Sequence, residues 1–510
     1  MPAAAVDGTA VDVTESLLGQ QDAKPGSPLW WTVRLSGQLA QRRPLVDLYG
    51  DYYDGRHRLS FASSKFREVF AEMLAAVNDN WMPLVIRAAA ERLVVQGFRL
   101  GEAGQLHGDD DAWRIWQENQ LDAESGLLFT EAMKCGEAAM LVWPAASERP
   151  GVFGRIFSRR GSVRAEITVE HPSQMIVARA AGNRRRRAAA LKEWAEDDGT
   201  VMATLFLPDT VTRWQRAPSG AWEPRPGVTH QEPHGLGVVP VIPFVNDPQM
   251  LPSRPPQSLR AAPHRAPDVA IGHGRSDLAD VISTQDQINK LLCDMLVASE
   301  VGAFRQRWAT GLEVPTDPET NEPVQPFEHA INRLWVSESE TTKFGDFAVT
   351  ELKNFTDAIE QRVQSLAART RTPPHYLLGS IVNASGDALK ASETGLACRV
   401  KDKQKPFGEA AEESVRLGFL VEGDRAKAGA AMAEVDWSPA ESRSESEFVD
   451  SLVKKLSIGV PVQQFWEDAG YSPQQIARFR AMLREQALEQ GLLDPTGQGL
   501  PPDPSGAPPA

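Results

Sequence analysis

The sequence is poor in the groups that most chemistry needs. It has three cysteines, Cys135, Cys293 and Cys398, far apart and odd in number, so no zinc knuckle or disulfide framework can be drawn from them. A reducing cytosol is the expected place of synthesis. No Gly-x-x-x-x-Gly-Lys-Ser/Thr loop occurs, which excludes a motor ATPase of that type. A dinucleotide fingerprint after a strand and a Gly-x-Ser-x-Gly elbow are also missing. The nine histidines are scattered; only His230 and His234 have a metal-like spacing, and Pro233 argues against a shared helical face there. Acidic pairs such as Glu338 and Glu340 lie in turn-like sequence with no nucleophile nearby. No catalytic site, metal or cofactor is expected. No window carries about 18 uninterrupted apolar residues, so no membrane span is expected. The first twenty residues lack a basic n-region and an apolar run, so no signal peptide is expected.

What is present is an ordinary globular balance over 510 residues, with 42% hydrophobic and 24% charged residues and a net charge of −14. That length suits two to four structural units. An acidic chain is ill-suited to wrapping DNA by counterion release. It can still surround a duplex, because an acidic wall repels phosphates and lets them slide; acidity that merely maintains solubility fits the composition equally well.

Along the chain, residues 1–60 show short apolar pieces without a clear period, with Trp30, Trp31, Tyr52 and Tyr53 marking a packed start. The spacing of Phe66, Phe70, Met73, Leu74 and Val77 predicts a helix from Ser64 to the Asn78-Asp79-Asn80 stop. Pro83 sits in the first turn of a second helix, with Gly97 after its end. Asp109-Asp110-Asp111 opens a third, and 127–137 reads as a fourth. Strands are expected at 138–143, 163–170, 201–207 and 238–245. Residues 1–245 thus read as one α+β domain. The four arginines Arg184 to Arg187 suit a phosphate, but a solvated loop is the expected reading. Residues 246–275, rich in Pro, Arg and His, read as a loop or linker.

Ser276-Asp277 reads as an N-cap pair. Leu278, Ile282, Gln285, Ile288, Leu292 and Met295 then follow at three- and four-residue steps. They predict a helix over 276–300, roughly 37 Å long at 1.5 Å per residue. Its charges are Asp277, Asp280, Asp286, Asp294 and Glu300 against Lys290 alone. Residues 301–345 break into turns and short apolar runs. A second long helix is expected over 346–372, with Leu352, Phe355, Ile359, Val363 and Leu366 on one stripe and Thr372-Pro373-Pro374 as its stop. On its own the pattern also fits a helical hairpin with a decorated tip inside an ordinary core. A polar loop at 373–385, a helix within 386–440 through Leu396, Val400 and Phe407 with Pro406 as its expected kink, short helices over 441–490 and a disordered tail at 491–510 complete the reading.

The order of these pieces resembles the portal proteins of long-tailed bacteriophages, especially those of actinobacterial phages. The resemblance covers about 51–490. It rests on Tyr52-Tyr53-Asp54-Gly55, Asn80-Trp81, the run from Glu91-Arg92 to Arg99, Gly274-Arg275-Ser276-Asp277-Leu278, and the run from Asn383 to Lys390 with Glu393. It implies a portal fold and a non-enzymatic dodecameric ring in which 1–245 is the wing, 276–300 and 346–372 the stem, 301–345 the clip, 373–385 the tunnel loop, 386–440 the helix behind it and 441–490 the crown. It further implies that double-stranded DNA passes non-specifically through the channel during packaging and ejection. The implied partners are the terminase large subunit, a head-completion or adaptor protein, and the major capsid and scaffold proteins. The implied place is the portal vertex of the virion, with assembly in the host cytoplasm. Candidate channel residues are Ser380, Asn383, Ser385 and Lys390 at the loop and Arg305, Arg307 and Lys343 around the clip. A capsid-associated adaptor or minor head protein is the alternative, although such proteins usually lack the helix–insert–helix block.

Overall fold

The computed structural model describes residues 23–57, 79–100, 108–145, 163–218, 220–250, 272–303, 307–311, 341–346, 351–378 and 386–441, together with parts of 450–471 and the helix 473–489. The expected helix after Ser64, the body of the 249–274 loop, most of 301–345, residues 379–385 and the tail lie outside them. The chain divides into two compact units. One comprises 1–58, 80–283 and 366–510; the other comprises 59–79 and 284–365.

The first unit opens on α1 (Pro28–Tyr53), capped by Ser27, whose side chain accepts from the Trp30 N–H. A 26-residue helix passing through Pro44 was not legible in the sequence. Its buried positions include Thr32, Ser36 and Arg42, which dilute the apolar period. Next comes α2 (Met82–Ala90), with Pro83 in its first turn as expected. It stops well before Gly97, which sits instead at a register shift in strand β1 (Val95–Leu100). The aspartate triplet performs as read: Asp109 Oδ1 accepts from Ala112 N at 2.8 Å and caps α3 (Asp110–Glu118). Helix α4 (Leu121–Cys135) begins six residues earlier than expected and ends at Gly136.

Strands β2 (Glu137–Pro144), β3 (Ala165–Glu170), β4 (Met175–Ala180), β5 (Asn183–Ala195), β6 (Val201–Phe206), β7 (Thr210–Arg216), β8 (Glu223–Pro224), β9 (Gln231–Pro233) and β10 (Val241–Val245) follow. Two antiparallel sheets result: β10-β2-β3, and the meander β4-β5-β6-β7-β8 with β9 also on β7. The arginine run expected to be a loop is the start of β5. A polar, exposed hairpin strand has no apolar alternation to betray it.

Helix α5 (Ile282–Ala303), the hairpin strands β11 (Arg307–Thr310) and β12 (Lys343–Asp346), and helix α6 (Lys353–Thr370) come next. Thus α5 starts six residues after the supposed cap, and Asp346 ends a strand rather than opening a helix. In the second unit, Asn289 Oδ1 accepts from Asp79 N at 3.3 Å, the Gln285 amide donates to the Asp79 carbonyl, and Arg362 reaches Gln287 Oε1 at 3.5 Å.

The first unit then resumes with α7 (Pro374–Leu378), α8 (Gly386–Glu422), α9 (Arg425–Ala428), β13 (Ala433–Trp437) and α10 (Pro473–Glu489). Tyr376, read as loop, belongs to α7. Strand β13 pairs antiparallel with β1 across more than 300 residues of sequence. Helix α8, 37 residues long and continuous through Pro406, packs on β2, β3, β10 and β13. Its anchor is Phe407, fully buried and stacked on Phe129 at 5.2 Å, with Phe244 beside both. Burying such a ring contributes about 1.5–3 kcal/mol. A second core sets Val33 and Leu35 of α1 against Leu191, Leu205 and Trp214 of the larger sheet.

Glu412 of α8 is buried beside β13, where it accepts a hydrogen bond from the Val435 N–H. Burial first, and then the neighbouring Glu409, push its carboxyl up to about 7. A folded-state value above the unfolded one means that stability falls as pH rises through the window between them. Glu412→Gln is therefore expected to leave the melting temperature nearly unchanged at pH 4 and to stabilise by about 1–2 kcal/mol at pH 8. Thermal scans at the two pH values check this, and an equal shift at both contradicts it.

Candidate functional site

Two contact clusters along α8 hold pieces that the sequence put forward as motifs: the Gly274–Leu278 turn at one, Arg92 and Glu393 at the other. Chain geometry fixes the first. Helix α4 ends at Gly136 in a left-handed conformation, φ +96°. The Gly136 carbonyl accepts from Asn246 N at 2.9 Å, and Arg275 N donates to the Asn246 carbonyl at 2.8 Å. Gly274 passes so close that a Cβ there would lie 1.8 Å from the Gly136 oxygen. Asp277 N then donates to Met133 O at 3.0 Å, and the Ser276 hydroxyl donates to Lys134 O at 2.5 Å. The turn that holds Asp277 is thereby bolted to the C-terminal end of α4.

Asp277 is turned inward rather than capping a helix. Its carboxylate meets Arg399 Nη2 at 2.6 Å and Lys403 Nζ at 2.7 Å, two cations one turn apart on α8. Asn246 Nδ2 donates to the same carboxylate at 2.9 Å, and Lys403 donates to Asn246 Oδ1 at 2.6 Å. Arg399 also donates to Thr370 O at 2.9 Å and Val85 O at 3.0 Å. One guanidinium thus joins α2, the end of α6 and the Asp277 turn. Burial alone would raise the Asp277 carboxyl, but Lys403 and Arg399 outweigh it and hold the group well below the ordinary carboxylate range. Burial depresses Lys403, with Asp277 opposing. Asp277 is thus spent on this ion pair and Asp286 is buried, so neither adds to the exposed acidic surface of its segment.

A cleft of about 300 Å³ opens beside this pair, lined by charged groups that include Arg275, Asp280, Arg369, Arg371 and Asp402. Arg275 meets Asp280 at 2.5 Å, and Arg371 lies 3.7 Å from Asp402.

A second arginine brackets the expected tunnel loop. Arg92 donates to the Tyr376 hydroxyl at 2.9 Å and to Ala440 O at 3.1 Å, and lies 3.5 Å from Glu393. Tyr376 precedes residues 379–385 and Glu393 follows them, so one side chain holds both flanks. His375 stands 4.0 Å from the same Glu393.

Of the candidate channel residues, Ser380, Asn383, Ser385 and Arg305 lie outside the described residues. Lys390 falls in the first turns of α8. Arg307 and Lys343 are brought onto one hairpin, at opposite ends of the β11–β12 ladder: Arg307 faces Asp346 and Lys343 faces Thr310. The sequence reading missed the roles of Arg399 and Lys403. Their signal was two cations four residues apart, flanking Val400 on a stretch that otherwise repeats apolar residues toward the core.

His230 and His234 are held apart by separate backbone carbonyls, those of Arg213 and Leu207. One group among the described residues has ligand-like spacing: Glu131, Cys135 and His171, with donor atoms within 4.8 Å of one another. Lys134 occupies Glu131 Oε1 at 2.6 Å and His171 lies 3.2 Å from Oε2. Burial, and then Glu131, push the Cys135 thiol up to about 12. Both oxygens of Glu131 are thus already engaged within the cluster, by Lys134 and His171. Among the described residues, no helix is long and apolar enough to cross a membrane.

The family model for phage portal proteins of the SPP1 Gp6-like type matches residues 34–485. The portal protein of Mycobacterium phage D29 is 30% identical over 471 residues, covering 88% of this chain and 89% of its own. The portal protein of Mycobacterium phage L5 is 30% identical over 469 residues, covering 88% of each. With the family model spanning both clusters and these relatives matched over nearly their whole length, the chain belongs to the SPP1 Gp6-like family of phage portal proteins.

Proposed function

We propose that this protein is the portal vertex subunit of a tailed phage capsid, a structural component through which the genome is packaged. The observation that carries the mechanical part is the double hold of Arg92 on Tyr376 and Glu393. A loop that lines a moving duplex needs fixed roots and a free tip. On this reading copies of the chain close into a ring, dodecameric as the family resemblance implies. Residues 1–245 then form the wing, 276–300 and 346–372 the stem, 301–345 the clip, and 441–490 the crown.

Residues 373–385 form the tunnel loop. Ser380, Asn383 and Ser385 offer hydrogen bonds that touch phosphates without gripping them, because tight or base-specific contacts would stall the duplex. Lys390, Arg305, Arg307 and Lys343 supply transient positive charge along the path. The clip docks the terminase motor during packaging and head-completion proteins afterwards, capsid and scaffold proteins surround the wing, and the same channel serves ejection. The subunit does no covalent chemistry of its own, and assembly takes place in the host cytoplasm before the ring becomes the unique vertex of the virion. A closed ring uses two different patches on each subunit, one for each neighbour.

Mass photometry and end-on negative-stain averages of the purified full-length chain test the reading. Closed rings with a pore wide enough for duplex DNA are expected. Monomers alone at every concentration would overturn it.

A further inference from the structure

The β4–β5 hairpin carries a feature that portal architecture does not require. Its ladder runs regularly through Val177–Ala190 and Ala178–Ala189, then jumps: Arg179 pairs with Arg187, and the next residue, Ala180, pairs with Asn183. Arg184, Arg185 and Arg186 therefore have no partner residue on β4. They form a three-residue bulge beside the turn, all three exposed. A bulge re-aims side chains that a regular ladder would spread over two faces.

This bulge is held by specific contacts. Arg179 Nη1 donates to the Arg184 carbonyl at 2.6 Å, and Asn183 Oδ1 accepts from Arg185 N at 3.0 Å. The fourth arginine of the run is spoken for: Arg187 pairs with Glu413 at 2.6 Å and donates to Val239 O at 3.2 Å. Among the described residues no acidic side chain pairs with Arg184, Arg185 or Arg186. Three successive exposed guanidiniums, without an acidic partner among the described residues, thus lie at one hairpin end of a chain whose net charge is −14.

The surroundings say what kind of partner fits. The tip is Ala180, Ala181 and Gly182, small residues with no large apolar side chain among them. A stable protein–protein contact is built around buried aromatic or aliphatic anchors, and this tip has none to offer. A phosphate backbone needs only charge and planar donors, and guanidinium groups fit phosphate oxygens bidentately. A two-stranded ribbon is also narrow enough to follow a DNA groove.

We propose that the Arg184–Arg186 bulge is a sequence-independent contact for the phosphate backbone of duplex DNA, distinct from any contact in the channel loop. The inference takes from the portal reading only that DNA is the polyanion at hand.

The test uses the full-length protein and a labelled 20-base-pair duplex of arbitrary sequence, followed by anisotropy between 50 and 200 mM salt. Against wild type, R184Q/R185Q/R186Q is expected to bind more weakly and to flatten the slope of log K against log salt by about 2.7 per hairpin engaged, about 0.9 for each arginine. R185Q alone should flatten it by about 0.9, which keeps the test intact if the triple variant assembles poorly. A wild type that does not bind duplex, or variants with an unchanged slope, would overturn the proposal. So would arginine-dependent binding to poly-glutamate with none to duplex, which would make the partner an acidic polypeptide. Mass photometry of the same samples separates the two readings: rings with an unchanged slope defeat this inference alone, whereas the absence of rings defeats the portal assignment.

Discussion

Replacing Asp277 with Asn is expected to destabilise the first unit by about 3–5 kcal/mol, the usual result of removing one partner from a buried ion pair. The melting temperature should drop by on the order of 10 °C. The cause is what remains. Arg399 keeps its two carbonyls, at Thr370 and Val85, but Lys403 loses the carboxylate beside it and keeps the neutral Asn246 Oδ1 in a place where burial already disfavours its charge. Adding Lys403→Met to Asp277→Asn should recover part of the loss, because the penalty comes from an uncompensated buried cation. The pH dependence has a definite sign. The Asp277 carboxyl is held below its unfolded value, so its contribution is complete above about pH 4 and is lost only as pH falls through the depressed folded value. The gap between wild type and variant should therefore stay constant from pH 5 to 8 and narrow in strong acid. A drop of less than about 2 °C at pH 7 would show that the carboxylate does not hold α8 in place.

Gly274→Ala is expected to be at least as damaging, through sterics instead of charge. The added Cβ would sit 1.8 Å from the Gly136 oxygen and 2.6 Å from its carbonyl carbon. Both are backbone atoms of the residue that terminates α4, and the same oxygen accepts from Asn246 N, so no side chain can rotate away. The turn carrying Arg275, Ser276 and Asp277 would have to move as a block and would lose its bonds to Lys134 and Met133. A cost above the ordinary overpacking range of about 1–3 kcal/mol is expected. Gly126→Ala is the contrasting case: it lies inside α4 with nothing within 4 Å of the added carbon, and should stabilise by up to about 1 kcal/mol. Chemical denaturation of the two variants side by side checks the pair, and similar stabilities would refute the steric account.

Local rules carried the sequence reading a long way. The Asp109 cap, the strands β2, β3, β6 and β10, and the helix ending at Pro373-Pro374 were all legible, because each is set by residues within a few positions of one another. What was lost depended on distant partners. Asp277 looked like a cap because its sequence neighbours permit one; its partner Arg399 is 122 residues away. The 26-residue α1 was hidden because Arg42 and Thr32 occupy its buried face; Arg42 answers to Glu137 and to the carbonyls of Pro172 and Met175. Gly97 looked like a helix stop because nothing local announces the strand β13 that pairs beside it. The portal family, in contrast, was readable from the order of short motifs. Residues of those motifs make long-range contacts: Arg92 meets Glu393, Gly274 abuts Gly136, and Asp277 meets Arg399.

On the proposed channel reading, the position of Arg92 sets where a pull on the genome would be felt. A tug on the segment between Leu378 and Gly386 reaches α7 and α8 together, since a single guanidinium clasps Tyr376 and Glu393. The load then passes through the Ala440 carbonyl to the chain just beyond β13, and from there to the ladder it shares with β1. With the loop bearing on DNA as proposed, strain would thus be shared by α7, α8 and the β1–β13 ladder together, and no single one of them would carry it alone.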